Sequence, residues 1–580
     1  MKRFCSLSIL LLSLTLCARA ASLPGSYFPL LESGASQVER RLNSLPNAEL
    51  KALESESDWR HFPYAILAPA VLYAKEYPEN PRYRDRKMLT LALRIGDLLA
   101  SENEKGQYQP RLDSDWDTGL WLEAYRLLEA ELGEDRRVRW KRALEENIGH
   151  LVTDATERLD FPWYNSPYIG TSPNHYALWA SLLHLGGQTF RKLEWEQLGK
   201  QVLRRYAMIE QTSDGYWGEH SRFGPTTGYN HLTFTALATY WENSRDEDVV
   251  AALRRATTFH INYTYPDGTP VEVINDRNRH WEVSAWGHFG FSHFPDGRRF
   301  AEFLTSFFRP DKLSVSSLGR LAQNALYFHE GPTQPIPQDQ SRYSHQMSIP
   351  AGIRKTGPWT VCLSGLIDTP AINNRFYLDR QGNVSVFHQK AGLIITGANS
   401  KRQPELATFS EKLLGQVVHM PLSSRLQMDD AQDRLSLAFN TFFSDLYVPS
   451  PPEGELDLRF KISGRGKPPE SAQLTLQLCL KAGETLETAT GKKILLGAER
   501  IELSSEDLGE WIRHQGWALK LAEGSRLTWP VYPHNPYADA PETNLKYAVG
   551  ALSVPVILKS QPDRHVRANE KEMVFTLTVP

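Results

Sequence analysis

The chain has 580 residues and a mass of 65.9 kDa, which predicts several cores rather than one. With 41% hydrophobic and 23% charged residues, it is neither disordered nor collagenous. Lysine plus arginine number 65 against 68 aspartate plus glutamate, and the formal charge of −3 excludes a global field for nucleic acid or an acidic membrane.

Met1-Lys2-Arg3, an apolar run from Leu7 to Leu16 and then Ala18-Arg19-Ala20 make the three parts of a secretory signal over residues 1–20. The run is shorter than the ~20 residues of a membrane helix and no later segment reaches that length, so a secreted or periplasmic chain without a membrane span is expected. Removing the signal takes Cys5 and Cys17 and leaves Cys362 and Cys479, too few for a disulfide scaffold or a cysteine zinc site. A pair in an oxidising compartment and two buried thiols are both open.

From about residue 60 to about residue 310 the apolar period is helical. Apolar residues recur at three and four over 64–73, 88–99, 119–132, 138–151, 175–185, 193–209, 231–241 and 249–260. This predicts an all-α array of antiparallel hairpins spanning 21–310. Asp113-Ser114-Asp115-Trp116-Asp117 begins like a calcium loop, but the glycine is one place late and Ala124 stands at the twelfth position, so helix capping is the better account.

Within the array, polar groups crowd into three segments. The first is Trp163 to Tyr168 followed by Asn174-His175, where Asn174 is also placed to cap a helix. The second runs from Asp214 through Glu219-His220-Ser221-Arg222 to Tyr229-Asn230, and the third from Tyr265-Pro266-Asp267-Gly268 through Arg277 and Arg279 to His280. Loops that precede or close helices converge at one end of such an array, where free amides and the helix dipole favour carboxylated ligands. Tyr168, His220, Arg222, Asn230, Arg277 and Arg279 are the expected binding residues there.

Gly331-Pro332 to Pro337 suggests a linker over 311–345, after which the period becomes two. Glu455 to Ile462, Gln473 to Leu478 and Val574 to Val579 alternate polar and apolar residues, as a half-buried antiparallel strand requires. The expected fold is therefore a multidomain α+β chain, helical hairpins followed by an antiparallel β-sandwich over 346–580.

Asn174-His175 at a helix start, Tyr229 farther along, the Pro266-Asp267-Gly268 turn and His388 in the β region together resemble the heparinase II/III and alginate lyase superfamily of polysaccharide lyases. The resemblance implies an (α/α) toroid followed by β-sandwich sheets, with Asn174, His175, Tyr229 and His388 as catalytic residues. The family often carries His-x-His near the sandwich histidine. Here Phe387-His388-Gln389-Lys390 stands instead, which argues against the usual zinc site.

The implied reaction is β-elimination on a uronate polysaccharide or oligosaccharide. A base removes the proton at C5, beside the carboxylate, and the glycosidic oxygen leaves C4. Removing that proton builds a second negative charge, so donors such as Asn174 and His175 must hold the carboxylate. Tyr229 would serve as acid, and as base for some stereochemistries, with His175 or His388 as the other base. No cofactor is required by this chemistry, and a structural zinc or calcium has no support in the sequence. One rival is a glycoside hydrolase using two of Asp115, Asp117, Glu219, Asp276 and Glu282. The other is a non-catalytic carbohydrate-binding protein.

Overall fold

The computed structural model describes residues 23–45, 49–107, 115–160, 173–219, 224–275, 282–367, 382–397, 401–449, 454–465, 468–558 and 570–580. The expected signal lies outside them. No described helix is long and apolar enough to cross a membrane.

Fourteen helices occupy the first part among the described residues: α1 (Leu23–Ser44), α2 (Leu50–Leu53), α3 (Leu67–Ala74), α4 (Arg86–Glu104), α5 (Asp115–Leu128), α6 (Glu134–Gly149) and α7 (Leu151–Asp160), then α8 (Pro173–Phe190), α9 (Leu193–Arg205), α10 (Thr227–Ser244), α11 (Val250–Asn262), α12 (His288–Phe291), α13 (Pro295–Thr305) and α14 (Val315–Tyr327). Amphipathic α4 shows why they form. Asp85 caps it by accepting the Lys87 N–H, and Met88, Leu91, Ile95 and Leu99 repeat at three and four on the buried face. On that face Gly96 lets Trp140 of α6 lie against the backbone, since a Cβ there would sit 2.0 Å from the indole. By contrast α8 and α10 are buried on nearly every side and form the middle of the array.

The array closes on itself, because α14 packs against both α1 and α3. Gly34 in α1 gives way to Leu318 of α14, where a Cβ would lie 2.4 Å from a methyl. This corrects the expected linker over 311–345. Val315, Leu318, Leu321 and Ala325 repeat at helical spacing and are buried in the helical core, so α14 belongs to the ring. The chain crosses to the sheets over 328–341, the stretch with the proline cluster.

The second part is two antiparallel sheets enclosing one apolar core. The first runs β1 (Arg342–Gln346), β2 (Ala351–Thr356), β3 (Trp359–Ser364), β4 (Val384–His388) and β5 (Gly392–Thr396). It continues through Ser471–Leu478, Val549–Pro555 and Arg526–Val531 to Ile501–Leu503. In the second, Glu455–Gly464 pairs with Glu570–Thr578 on one side and Phe442–Pro449 on the other. Alternation does the sorting in β4: Val384 and Val386 enter the sandwich core, while Ser385 and Phe387 face the helices. Cys362 and Cys479 are both free thiols.

Helices and sheet meet along an aromatic seam. Tyr216, Phe259, Tyr263 and Tyr265 pack on Ile353, Cys362 and Phe387, with Tyr265 stacked on Phe387 at 5.2 Å. At its centre the wholly buried Glu272 accepts hydrogen bonds from Tyr265 Oη (2.9 Å), Thr396 Oγ1 (3.1 Å) and the Gly397 N–H (3.0 Å). Burial, reinforced by this carboxylate, raises the Tyr265 phenol and the Cys479 thiol above their ordinary pKa ranges.

Glu272→Ala removes the acceptor of the buried Gly397 amide and a hydrogen bond from each of Tyr265 and Thr396. It is expected to destabilise the protein by about 2–4 kcal/mol, read as a lower urea midpoint. Ser385→Ala, which removes one hydroxyl from Tyr265, should cost no more than about 1.5 kcal/mol.

Candidate active site

Helix α10 begins just after an isolated bridge between Gly218 and Pro225. Thr227 Oγ1 donates to the Val271 carbonyl (3.1 Å), which ties the first turn to the loop bearing Glu272. Asn230 is wholly buried. Its Oδ1 accepts the Trp217 N–H (2.7 Å), and its Nδ2 donates to the Trp217 and Thr226 carbonyls (3.0 and 3.1 Å). Beside this clamp Tyr229 is half-buried, and its Oη lies 2.7 Å from Tyr537 Oη.

Tyr229 opens onto a cavity of about 400 Å³, whose walls include His61, Glu282, Trp286, Tyr537 and Tyr547. Tyr537 comes from the β region, on a small hairpin in which His534–Asn535 pairs with Ala540–Pro541. Gln403 brackets that hairpin, accepting the His534 N–H (2.8 Å) and donating to the Tyr532 carbonyl (2.9 Å). Asn535 Oδ1 then accepts the Tyr537 N–H (3.0 Å), so the tyrosine is held from both sides.

His61 adopts a left-handed backbone (φ 64°), with Nδ1 3.4 Å from Asp117 Oδ1. Glu54 is close by and its carboxyl is raised above the usual range, by burial first and then by the charge of Asp117. Beneath Trp286 lies Arg320, a buried guanidinium 3.6 Å from the indole centroid that donates to Tyr64 Oη (3.2 Å) and Gln323 Oε1 (3.0 Å). Gln323 in turn donates to Glu123 (2.9 Å), on the interior of the ring. Burial pushes the Glu123 carboxyl up to about 7, against the opposing effects of Gln323 and Arg320.

Asn174 lies at the second residue of α8, inside the helix rather than at its cap, and is wholly buried. Its Nδ2 reaches both oxygens of the buried Glu219 at 3.1 and 3.0 Å. Glu219 N–H meets the Gly224 carbonyl (3.4 Å) next to the Gly218–Pro225 bridge. Asn174, Glu219, Trp217 and Asn230 thus form one connected chain that brings the starts of α8 and α10 to the same end of the ring. Half-buried His175 stands with its ring 6.1 Å from that of Trp179.

Two expectations are corrected. Asn230, expected to bind substrate, spends its amide on the backbone of Trp217 and Thr226. His388, expected at the cleft, shares the parity of Val384 and Val386. It therefore points into the sandwich, its ring 4.5 Å from that of Trp359 and its Nδ1 accepting the Lys390 N–H (3.1 Å). Burial, aided by Lys390, holds its pKa below the ordinary value. Tyr168, His220, Arg222, Arg277 and Arg279 lie outside the described residues. His61, Trp286, Tyr537 and Tyr547 were not anticipated. The cluster Pro533-His534-Asn535-Pro536-Tyr537, as rich in turn and aromatic residues as the three helical-region segments, was the available signal.

No protein-family model and no curated protein matches this sequence. A Paenibacillus xanthan lyase superposes with a TM-score of 0.50 at 9% identity, over 97% of this chain and 58% of that one, so the present chain spans less than two thirds of its length. A Streptomyces coelicolor A3 chondroitin AC lyase in complex with chondroitin sulphate gives 0.48 at 13% identity, covering 97% and 80%. Heparan sulfate lyase HepC from Pedobacter heparinus gives 0.46 at 12%, covering 90% and 76%. The likeness is one of fold, and it rests on the xanthan lyase superposition.

Glu123 gives a pH dependence with a definite sign. Its folded pKa of about 7 exceeds the unfolded value of roughly 4.3, so the folded state binds the extra proton and stability falls as pH rises between those values. Glu123→Gln should flatten that fall and exceed the parent in urea midpoint at pH 8 but not at pH 4.

Proposed function

We propose that this chain is a polysaccharide lyase that cleaves a uronate-containing polysaccharide by β-elimination in the Tyr229 cavity. The observation that supports it best is Tyr229 itself, a phenol at the start of a buried helix, facing an open cavity walled by an imidazole and further aromatics. The shared fold with a xanthan lyase is consistent with that reading.

The base takes the C5 proton, the freed pair forms the C4–C5 double bond, the C4–O bond breaks, and the leaving oxygen takes a proton from the acid. Tyr229 is assigned as acid. Its contact with Tyr537 Oη gives the phenolate a hydrogen-bond donor once the proton has gone. His61, with Nδ1 turned to Asp117, is assigned as base in place of His388. His175 is assigned to the substrate carboxylate, with His220, Arg222, Arg277 and Arg279 in the adjoining segments. Asn174, whose amide holds Glu219, acts as a positioning residue for that loop. Stacking against Trp286 and Tyr547 suits sugar rings. The signal expected over 1–20 supports an activity outside the cytoplasm.

A hydrolase needs two carboxylates facing each other across the bond. Of the candidate carboxylates, Asp117 is turned to His61 and Glu219 to Asn174, and Glu282 is the single described one in the cavity wall where a hydrolase needs a facing pair, which favours elimination.

The test is a screen of alginate, glycosaminoglycans and ulvan-like polymers with the full-length protein, following the ultraviolet absorbance of the unsaturated product. Tyr229→Phe should fold normally and lose about 10²- to 10⁴-fold in kcat, whereas His388→Phe should keep its turnover. New reducing ends without new absorbance would establish a hydrolase and overturn the proposal, and so would full activity in Tyr229→Phe.

A further inference from the structure

The far end of α10 carries a second cluster, about 20 Å from Tyr229 at 1.5 Å per helical residue. Glu242 Oε1 lies 2.6 Å from His329 Nε2 and 3.1 Å from His293 Nε2, and the two imidazole centroids are 4.5 Å apart. Among the described residues this is the group of histidine, cysteine and carboxylate side chains whose donor atoms fall close enough together to share one ion, all within 4.8 Å.

The geometry is held from outside. Trp241 packs edge-on against His293 (4.3 Å) and also contacts His329 (5.9 Å), and Arg245 occupies the other oxygen of Glu242 at 3.0 Å. Ser292 Oγ accepts the His329 N–H (2.9 Å), which ties the two histidine-bearing segments together. Two imidazoles on one carboxylate oxygen are poorly served by hydrogen bonding alone. His329 is aligned, but the His293 side chain is only 10% exposed and its Nε2 has no aligned partner despite its proximity. In a tetrahedral zinc site, bonds of about 2.0–2.1 Å separate ligand atoms by about 3.3 Å, so the two carboxylate–imidazole spacings need only small outward shifts. The His329 side chain is 35% exposed, which leaves a solvent-facing position for a water ligand and a route of entry.

We propose that Glu242, His293 and His329 bind one zinc ion, with Arg245 orienting the carboxylate from outside. The three ligands come from the last turn of α10, the α12–α13 connection and the residues just after α14. The ion would therefore staple the ring where the chain departs for the sheets.

The experiment strips the full-length protein of metal with a chelator and titrates it with zinc alone against a chromophoric competitor. One equivalent should bind, raising the melting temperature, and zinc-edge X-ray absorption should show two imidazoles. His329→Gln and Glu242→Gln should each weaken binding by at least about 100-fold and abolish the melting shift. No stoichiometric binding, or binding unchanged in both variants, overturns the proposal. Should neither variant fold, the absorption spectrum of the parent decides, and a shell without two imidazoles overturns it.

Discussion

A buried carboxylate joins the two architectures. Glu272 is wholly buried, and an isolated ion in so dry a place costs several kcal/mol unless donors surround it. Those donors come from both sides, Tyr265 from the helical part and Thr396 with Gly397 from the sheet. The apolar seam around it would tolerate a slide of one surface over the other, since dispersion contacts are hardly directional. Hydrogen bonds to one carboxylate do not tolerate it, so Glu272 turns a greasy contact into a single docking geometry. Gly397 shows how close that docking is, for a Cβ there would lie 2.1 Å from a Val273 methyl.

The cavity inherits that precision. Val271, next to Glu272, takes the hydroxyl of Thr227, and the first turn of α10 is positioned with it. Asn230 locks the same turn to Trp217, and Tyr229 beside it meets Tyr537 at the cavity. Across the gap Tyr537 is set by Gln403 and Asn535, which belong to the sheet side. A hydroxyl–hydroxyl distance of 2.7 Å between residues 308 apart in sequence depends on both supports at once. A displacement of about 1 Å is enough to break such an arrangement, so its supporting shell matters as much as the pair itself.

Much of the fold was legible because it is written in local periods. Spacing at three and four located the helices between 64 and 260 except α7, and strict alternation located Glu455–Gly464 and Glu570–Thr578. The proline cluster at 331–337 marked the crossing, but the linker was drawn too wide. Val315, Leu318, Leu321 and Ala325 carried a helical stripe that the turn residues downstream overshadowed. Parity was also informative for His388: it shares a face with Val384 and Val386, and that face is the sandwich core. Asn230 and Asn174 could not be judged in this way. Their amides bond a backbone 13 residues away and a carboxylate 45 residues away, and no local pattern records such partners.

The sequence by itself determined the two kinds of architecture, their order and the placing of Tyr229 at a helix start, because neighbouring residues dictate backbone period and helix ends. Only the tertiary structure decided that the first and last helices close a ring, that His61 and Tyr537 join Tyr229, and that His388 does not. Those outcomes depend on how finished surfaces dock, a docking set by buried polar groups that find their donors only across the seam.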